Sequence, residues 1–276
     1  MTDRGLALVT GASSGLGEQF ARALAARGHD LILAARRRDR LGAVRADLIA
    51  RHGVAVELVA CDLATEAGLA ECRAAIGGRD VAVAVLNAGF GSLGPFVQAD
   101  REREDRMVRL NCVAVVDLAR ELVSGMRARG RGQIIVISSA AAWHPVPYMA
   151  TYGATKAFEL HFVRALAEEL RGTGVGVVAV CPGPTATGFS LALSDGAGTR
   201  QSGWPRYTPI DTAEHVVARS LAAADAGRTV VATGKIAPVA RVAAYVIPLS
   251  WSMRLVATVH RRRSRTRISA GNARGN

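Results

Sequence analysis

The sequence predicts an α/β fold: one doubly wound parallel sheet of about seven strands, with helices on both faces. Short apolar runs alternate with longer helical patterns along the chain, and that alternation builds parallel sheets. Several runs are continuously apolar, as strands covered on both faces must be. The first run also passes straight into a glycine-rich turn and then a helical pattern, an order that suits phosphate binding.

The expected strands are residues 6–9, 31–35 (LILAA), 54–60, 81–86 (VAVAVL), 133–138, 175–181 (VGVVAVC) and 229–232. Helical patterns lie between them at 15–27, 39–52, 66–76, 101–129, 151–171 and 211–226. Residues 184–210 have no clear period. A loop of that length is usually a functional lid or disordered. Ligands bind beyond the carboxyl ends of such strands, so functional motifs should cluster there.

The 276 residues suit a single α/β domain, expected over 1–235, with an apolar and then Arg-rich extension over 236–276. Half the residues are hydrophobic but only 5% are aromatic, so the core is mostly Ala, Val, Leu and Ile. Cys61, Cys72, Cys112 and Cys181 have no metal-ligand or CxxC spacing, which predicts free thiols and no metal site. The start of the chain has no signal-like apolar stretch, so a cytoplasmic location is expected. The net charge of +12 would favour nucleic acid, but residues 241–276 supply +8 of it through eight Arg and no acid. The charge is therefore a tail property, and no nucleic-acid partner is expected. Lys156 and Lys235 are the only lysines, the remaining basic residues being Arg.

Thr10-Gly11-Ala12-Ser13-Ser14-Gly15-Leu16-Gly17 closes the first strand and opens the first helix. Its glycines permit a tight turn and bring backbone N–H groups close to a pyrophosphate. The second strand leads into Arg36 and Arg37, where an NAD-selective fold usually carries an acid. Guanidinium groups there pair with a 2′-phosphate, which selects NADP(H), although a solvated helix start is the blander reading. Asp62-Leu63 follows the third strand, where Asp62 could equally cap the next helix. Asn87-Ala88-Gly89 makes a turn after the fourth strand.

Ser139 ends the fifth strand. Thirteen residues later comes Tyr152, with Lys156 four further on and on the same helix face. Pro182-Gly183, with Thr185 and Thr187, follows the sixth strand. Asn111 stands within the fourth helical pattern, where a buried Asn bending its helix is the blander reading. Together the TGxxxGxG loop, NAG, the Asn111–Ser139–Tyr152–Lys156 set and PGxxxT resemble the short-chain dehydrogenase/reductase family, over roughly residues 5–235.

That resemblance implies a Rossmann-type domain and a reversible, NADP(H)-dependent reduction of a carbonyl. An unperturbed phenol has a pKa of about 10, and a neighbouring ammonium lowers it. Tyr152 is thus expected to be the proton donor, with Lys156 lowering its pKa. The resemblance further implies that Lys156 binds the nicotinamide ribose and that Ser139 orients the carbonyl oxygen. By the same likeness Asn111 holds Lys156 through a water, Asp62 contacts the adenine, the backbone of the Pro182-Gly183 motif brackets the nicotinamide amide, and Thr187 bonds the carboxamide or a phosphate. One departure concerns Ser14: many NADPH-using relatives carry a basic residue there. Ser138 is one residue off the spacing and reads as structural, and His144 is given no role.

Phe90, Phe96, Trp143, Val146, Tyr148, Met149, Phe189, Leu191 and Leu193 fall in the three stretches expected to line the substrate pocket. They favour a lipophilic ketone or aldehyde, although loop hydrophobes can equally pack on the domain itself. Epimerase or dehydratase chemistry and a non-catalytic nucleotide-binding scaffold are the alternatives. Long central helices with apolar surplus, together with the family's habit, predict a homodimer or homotetramer. The apolar segment 236–259 is interrupted by Arg241, Pro248 and Arg254, which argues against a membrane span. It either packs on protein or makes a peripheral contact with anionic lipid.

Overall fold

The computed structural model describes residues 5–187, 189, 210–248, 250, 251, 253, 254, 257 and 258. Seven strands form one sheet: β1 (Leu6–Thr10), β2 (Asp30–Ala34), β3 (Val56–Val59), β4 (Val81–Leu86), β5 (Gly132–Ile137), β6 (Val175–Pro182) and β7 (Val230–Thr233). All pair in parallel, in the order β3-β2-β1-β4-β5-β6-β7. The order reverses between β1 and β4, which opens a crevice at their carboxyl ends.

The helices are α1 (Gly15–Ala26), α2 (Arg38–His52), α3 (Glu66–Ile76), α4 (Arg101–Val108), α5 (Ala114–Arg129), α6 (Ala150–Glu169), α7 (Ala213–Asp225) and α8 (Ile236–Val246). Strand residues alternate between two cores, as the two-residue period requires. Ala7, Val9, Leu31 and Leu33 face Phe20, Leu24, Leu41, Leu48 and Leu221 of α1, α2 and α7. Leu8, Ile32, Ile134 and Val136 face Leu69, Leu118, Leu122, Met126, Leu160 and Val163 of α3, α5 and α6. Burial of the strands on both faces is why they read as continuously apolar.

The helix expected over 101–129 runs without a gap but contains a π-helical turn at Arg109–Val113, whose wider backbone turn carries Asn111. The apolar extension ends its helix at Val246, and Ile247 before Pro248 is extended. The proline ring disfavours a helical residue ahead of it. Among the described residues no helix is long and apolar enough to cross a membrane. Most of the 184–210 loop lies outside the described residues. Thr185 at its start makes a parallel bridge with Asp211 beyond its end.

Candidate active site

The glycine loop is a close-packed cradle. A Cβ on Gly17 would lie 2.3 Å from the Gly11 carbonyl oxygen, and one on Gly11 2.7 Å from Asn87 Nδ2. Side chains at these positions would push the loop off the end of β4. Ser14 holds the N-cap position of α1 but makes no side-chain cap to the helix. Its hydroxyl instead accepts from Arg37 Nη2 at 2.7 Å, while Ser13 Oγ accepts from Arg37 Nη2 at 3.0 Å and Nε at 3.3 Å. The loop therefore combines close backbone approach, a helix N-terminus without a side-chain cap and a guanidinium. That combination fits a dinucleotide.

Asp62 is not the cap of α3. Thr65 is, accepting from Gly68 N at 3.1 Å. Asp62 accepts from Ala64 N at 3.0 Å and from Arg106 Nη2 at 2.6 Å. Burial pushes its carboxyl up, but the Ala64 N–H, Arg106 and Arg36 outweigh burial and hold it below the ordinary carboxylate value. The Leu63 side chain is buried in the core, so only its backbone is free to meet a ligand. The Asn87 side chain serves the loop, donating to Thr10 O at 2.9 Å. Thr10 Oγ1 in turn accepts from Asn87 N and Ala88 N at 2.9 and 3.0 Å. Thr187 comes to the other side of the cradle, 3.4 Å from where a Gly15 Cβ would lie. Thr185 is turned inward, donating to Gly183 O at 3.0 Å, and Gly183 N donates to Thr233 O at 3.1 Å.

The sheet and α6 bring Asn111, Ser139, Tyr152 and Lys156 together. Ser139 lies just past β5, its hydroxyl accepting from Ala141 N at 3.1 Å. Ser138 Oγ donates to Lys156 O at 2.8 Å, tying the end of β5 to α6. Lys156 Nζ is 5.8 Å from the Tyr152 ring centroid. Asn111 is fully buried in the π turn, donating to Phe90 O and Thr155 Oγ1, both at 3.0 Å, and accepting from Phe90 N at 3.3 Å. A Cβ on Gly89 would lie 3.0 Å from Asn111 Oδ1 and 3.4 Å from Lys156 Nζ. Glycine is thus what lets the NAG turn, Asn111 and Lys156 meet. Tyr148, two residues ahead of α6, has a φ of 68°, an unfavourable conformation for a bulky side chain. Such strain collects at sites the surrounding fold over-determines.

The charge balance differs from the expectation that Lys156 lowers the phenol. Burial pushes Tyr152 above its ordinary value of 10.0, and Lys156 and Ser139 offset only part of that. One cause is Glu159, which sequence reading missed. It is 1% exposed, and its Oε1 and Oε2 accept from Lys156 Nζ at 2.9 and 3.0 Å. The available signal was an acid seven residues after Tyr152 and three after Lys156, on the same buried face.

Beside Tyr152 lies a small apolar cluster: Met107, Met149, Phe90, Leu93, Ala141, Val146 and Phe189. The Phe189 ring centroid is 5.6 Å from that of Tyr152. Four of the expected pocket residues are therefore there, and Met107, Leu93 and Ala141 are additions. Phe96 is instead 68% exposed. Trp143 packs instead on the core cluster of α3, α5 and α6, with the guanidiniums of Arg164 and Arg241 over its ring at 5.0 and 5.6 Å. Leu191 and Leu193 lie outside the described residues. Among the described residues no cluster of metal-ligating side chains is present.

The family model described as short chain dehydrogenase matches residues 5–197. A very-long-chain 3-oxoacyl-CoA reductase of Pyrenophora tritici-repentis is 34% identical over 180 residues, 63% of this chain and 53% of that protein. The chain thus spans about half the length of the curated relatives it matches. A short-chain dehydrogenase from Sphingobium yanoikuyae in complex with NADPH superposes with a TM-score of 0.74 at 35% identity, covering 83% of this chain and 87% of that one. The bulky-bulky ketone specific alcohol dehydrogenase from Comamonas testosteroni gives 0.72 at 30% identity, covering 82% and 85%.

Proposed function

Because the chain belongs to the short-chain dehydrogenase family, we propose that this oxidoreductase is an NADPH-dependent reductase of a lipophilic ketone or aldehyde. The observation that carries the reading is Tyr152, buried beside Lys156 and Ser139 against an apolar cluster. NADPH, when bound, supplies the hydride. Gly11, Gly15 and Gly17 receive its pyrophosphate, and Arg37 with Ser13 and Ser14 receives the 2′-phosphate. Ser139 holds the carbonyl oxygen, and Tyr152 donates the proton that the reduced oxygen needs. A phenol raised by burial keeps its proton at neutral pH, which suits the reducing direction. The names of the 3-oxoacyl-CoA reductase and bulky-ketone relatives, like the aromatic and aliphatic cluster, support a lipophilic substrate.

The test is a panel of bulky ketones, aldehydes and 3-oxoacyl thioesters, assayed by loss of NADPH absorbance. Turnover with release of NADP⁺ supports the reading. Product formed while nicotinamide stays bound and unconsumed would replace it with the epimerase or dehydratase alternative.

Two surfaces support proposals about partners. Val108, Val113, Val116 and Phe158 are exposed on α4, the π turn, α5 and α6, and support a homo-oligomer through that face. Light scattering that gives only a 28.9 kDa species at assay concentration would overturn it. On α8, Val239, Val242 and Val246 are 62–71% exposed at helical spacing, with Tyr245 at 72%. Arg241 lies on the same helix and the Arg-rich 261–267 stretch follows. An apolar face next to clustered Arg supports a peripheral contact with anionic lipid.

A further inference from the structure

Lys156 has three ammonium protons, and three oxygens of this chain meet them. Ile137 O lies 2.9 Å from Nζ, and the two carboxylate oxygens of Glu159 lie at 2.9 and 3.0 Å. The Lys156 and Glu159 side chains are 5% and 1% exposed, so this is an interior ion pair rather than a surface one. Breaking such a pair by removing one partner leaves a buried charge uncompensated. The proton-donor chemistry uses Lys156 but assigns Glu159 nothing. The other titratable groups that face the pair are Tyr152 from α6, Cys112 from the π turn and Cys181 from β6. Burial pushes the two thiols up to about 11 and about 12, so neither brings charge at neutral pH. Above about pH 7, where its own carboxyl ionises, Glu159 is then the carboxylate that balances Lys156.

We propose that Glu159 is a positioning residue of the active site, the internal counter-ion whose carboxylate keeps the buried Lys156 ammonium charged and held beside Tyr152. The proposal rests on the reading of Lys156 and Tyr152 as the lysine and proton donor of carbonyl reduction. Burial alone would strip Lys156 of its proton; Glu159 and Tyr152 more than offset it, so the lysine is raised above its ordinary value. Removing the carboxylate makes deprotonation of Lys156 and of Tyr152 easier alike, because a negative charge raises the pKa of each neighbour. Whichever of the two loses its proton first, the alkaline limit of reduction moves to lower pH.

Two lysines in the whole chain make the test direct. The full-length protein is labelled with carbon-13 at lysine Cε, and Lys235→Arg identifies the Lys156 resonance. The wild-type Lys156 resonance is expected to titrate above 10.5. In Glu159→Gln, which keeps the shape and an acceptor oxygen, the midpoint should fall by about one pH unit or more. The alkaline limb of kcat/KM for reduction should move the same way. A wild-type midpoint at or below the ordinary value, or an unchanged midpoint in Glu159→Gln, overturns the proposal. Should the variant not fold, the wild-type titration decides by itself. That titration needs neither cofactor nor substrate, so it stands apart from failure of the functional reading, which an active Tyr152→Phe enzyme would reveal.

Discussion

Arg37 reaches from the end of β2 to the glycine loop, its Nη2 2.7 Å from the Ser14 hydroxyl. Family members that use NADPH often carry a basic residue where this chain has Ser14. Here the guanidinium comes to that position from the N-cap of α2, just past β2. Arg36, the other candidate from the sequence, contributes instead to holding down the Asp62 carboxyl.

Arg37→Leu is therefore expected to weaken NADPH binding more than Arg36→Leu does. A charge-assisted hydrogen bond is worth about 1.5–3 kcal/mol, roughly 10- to 100-fold in affinity. NADH binding should change little. Titration by nicotinamide fluorescence checks both, and equal wild-type affinities for NADPH and NADH would remove the basis of the assignment.

Tyr152→Phe should lower turnover by roughly 10²–10⁴-fold, the usual worth of general acid catalysis, while leaving NADPH affinity nearly unchanged. The ring remains to pack against Phe189, so the fold is kept and only the proton is lost. Lys156→Ala should reduce both turnover and cofactor binding. A Phe variant with most of its kcat would mean that another group donates.

Glu159 should cost the fold stability as pH rises. Burial, against the pull of Lys156, pushes its carboxyl from 4.5 up to about 7. Between those values the folded chain binds a proton that the unfolded chain has released. The favourable contribution is complete below 4.5 and is lost as pH climbs through about 7. Thermal unfolding compared with Glu159→Gln should show wild-type stability falling relative to the variant across that window. A constant difference would mean that Glu159 ionises as an ordinary carboxylate.

If the α8 face meets lipid, the protein should co-sediment with anionic vesicles more than with neutral ones. Truncating residues 249–276 removes most of the Arg cluster and should reduce recovery. Val242→Asp on the apolar face should reduce it with the Arg cluster intact. Equal recovery with both lipids, unaffected by either change in folded protein, would leave a sister subunit as the covering partner.

Most of the fold was legible because its signals are local. LILAA and VAVAVL announce strands covered on both faces, and the glycine loop, NAG and PGxxxT mark strand ends by turn chemistry that neighbouring residues alone set. Tyr152 and Lys156 were legible for the same reason, since a four-residue spacing places them on one helix face. The π turn within the 101–129 helix was legible only as the alternative reading of Asn111, a buried Asn bending its helix. Its residues have unremarkable helical patterning, and the π turn reflects how Asn111 is held by Phe90 and Thr155 from distant parts of the chain.

By itself, then, the sequence determined the parallel sheet, the order of its motifs and the placing of Tyr152 and Lys156 on one helix, because periodicity and turn chemistry act over a few residues. Only the tertiary structure decided what those groups experience. It brought Arg37 rather than Arg36 to Ser14, packed Trp143 on the main core with Arg164 and Arg241 over its ring, and capped α3 with Thr65 instead of Asp62. It also raised the Tyr152 phenol where the lysine alone would have lowered it. Burial and cross-chain charge depend on which elements pack together. A one-dimensional pattern shows which face of Glu159 turns inward, but not that Lys156 waits there to meet it.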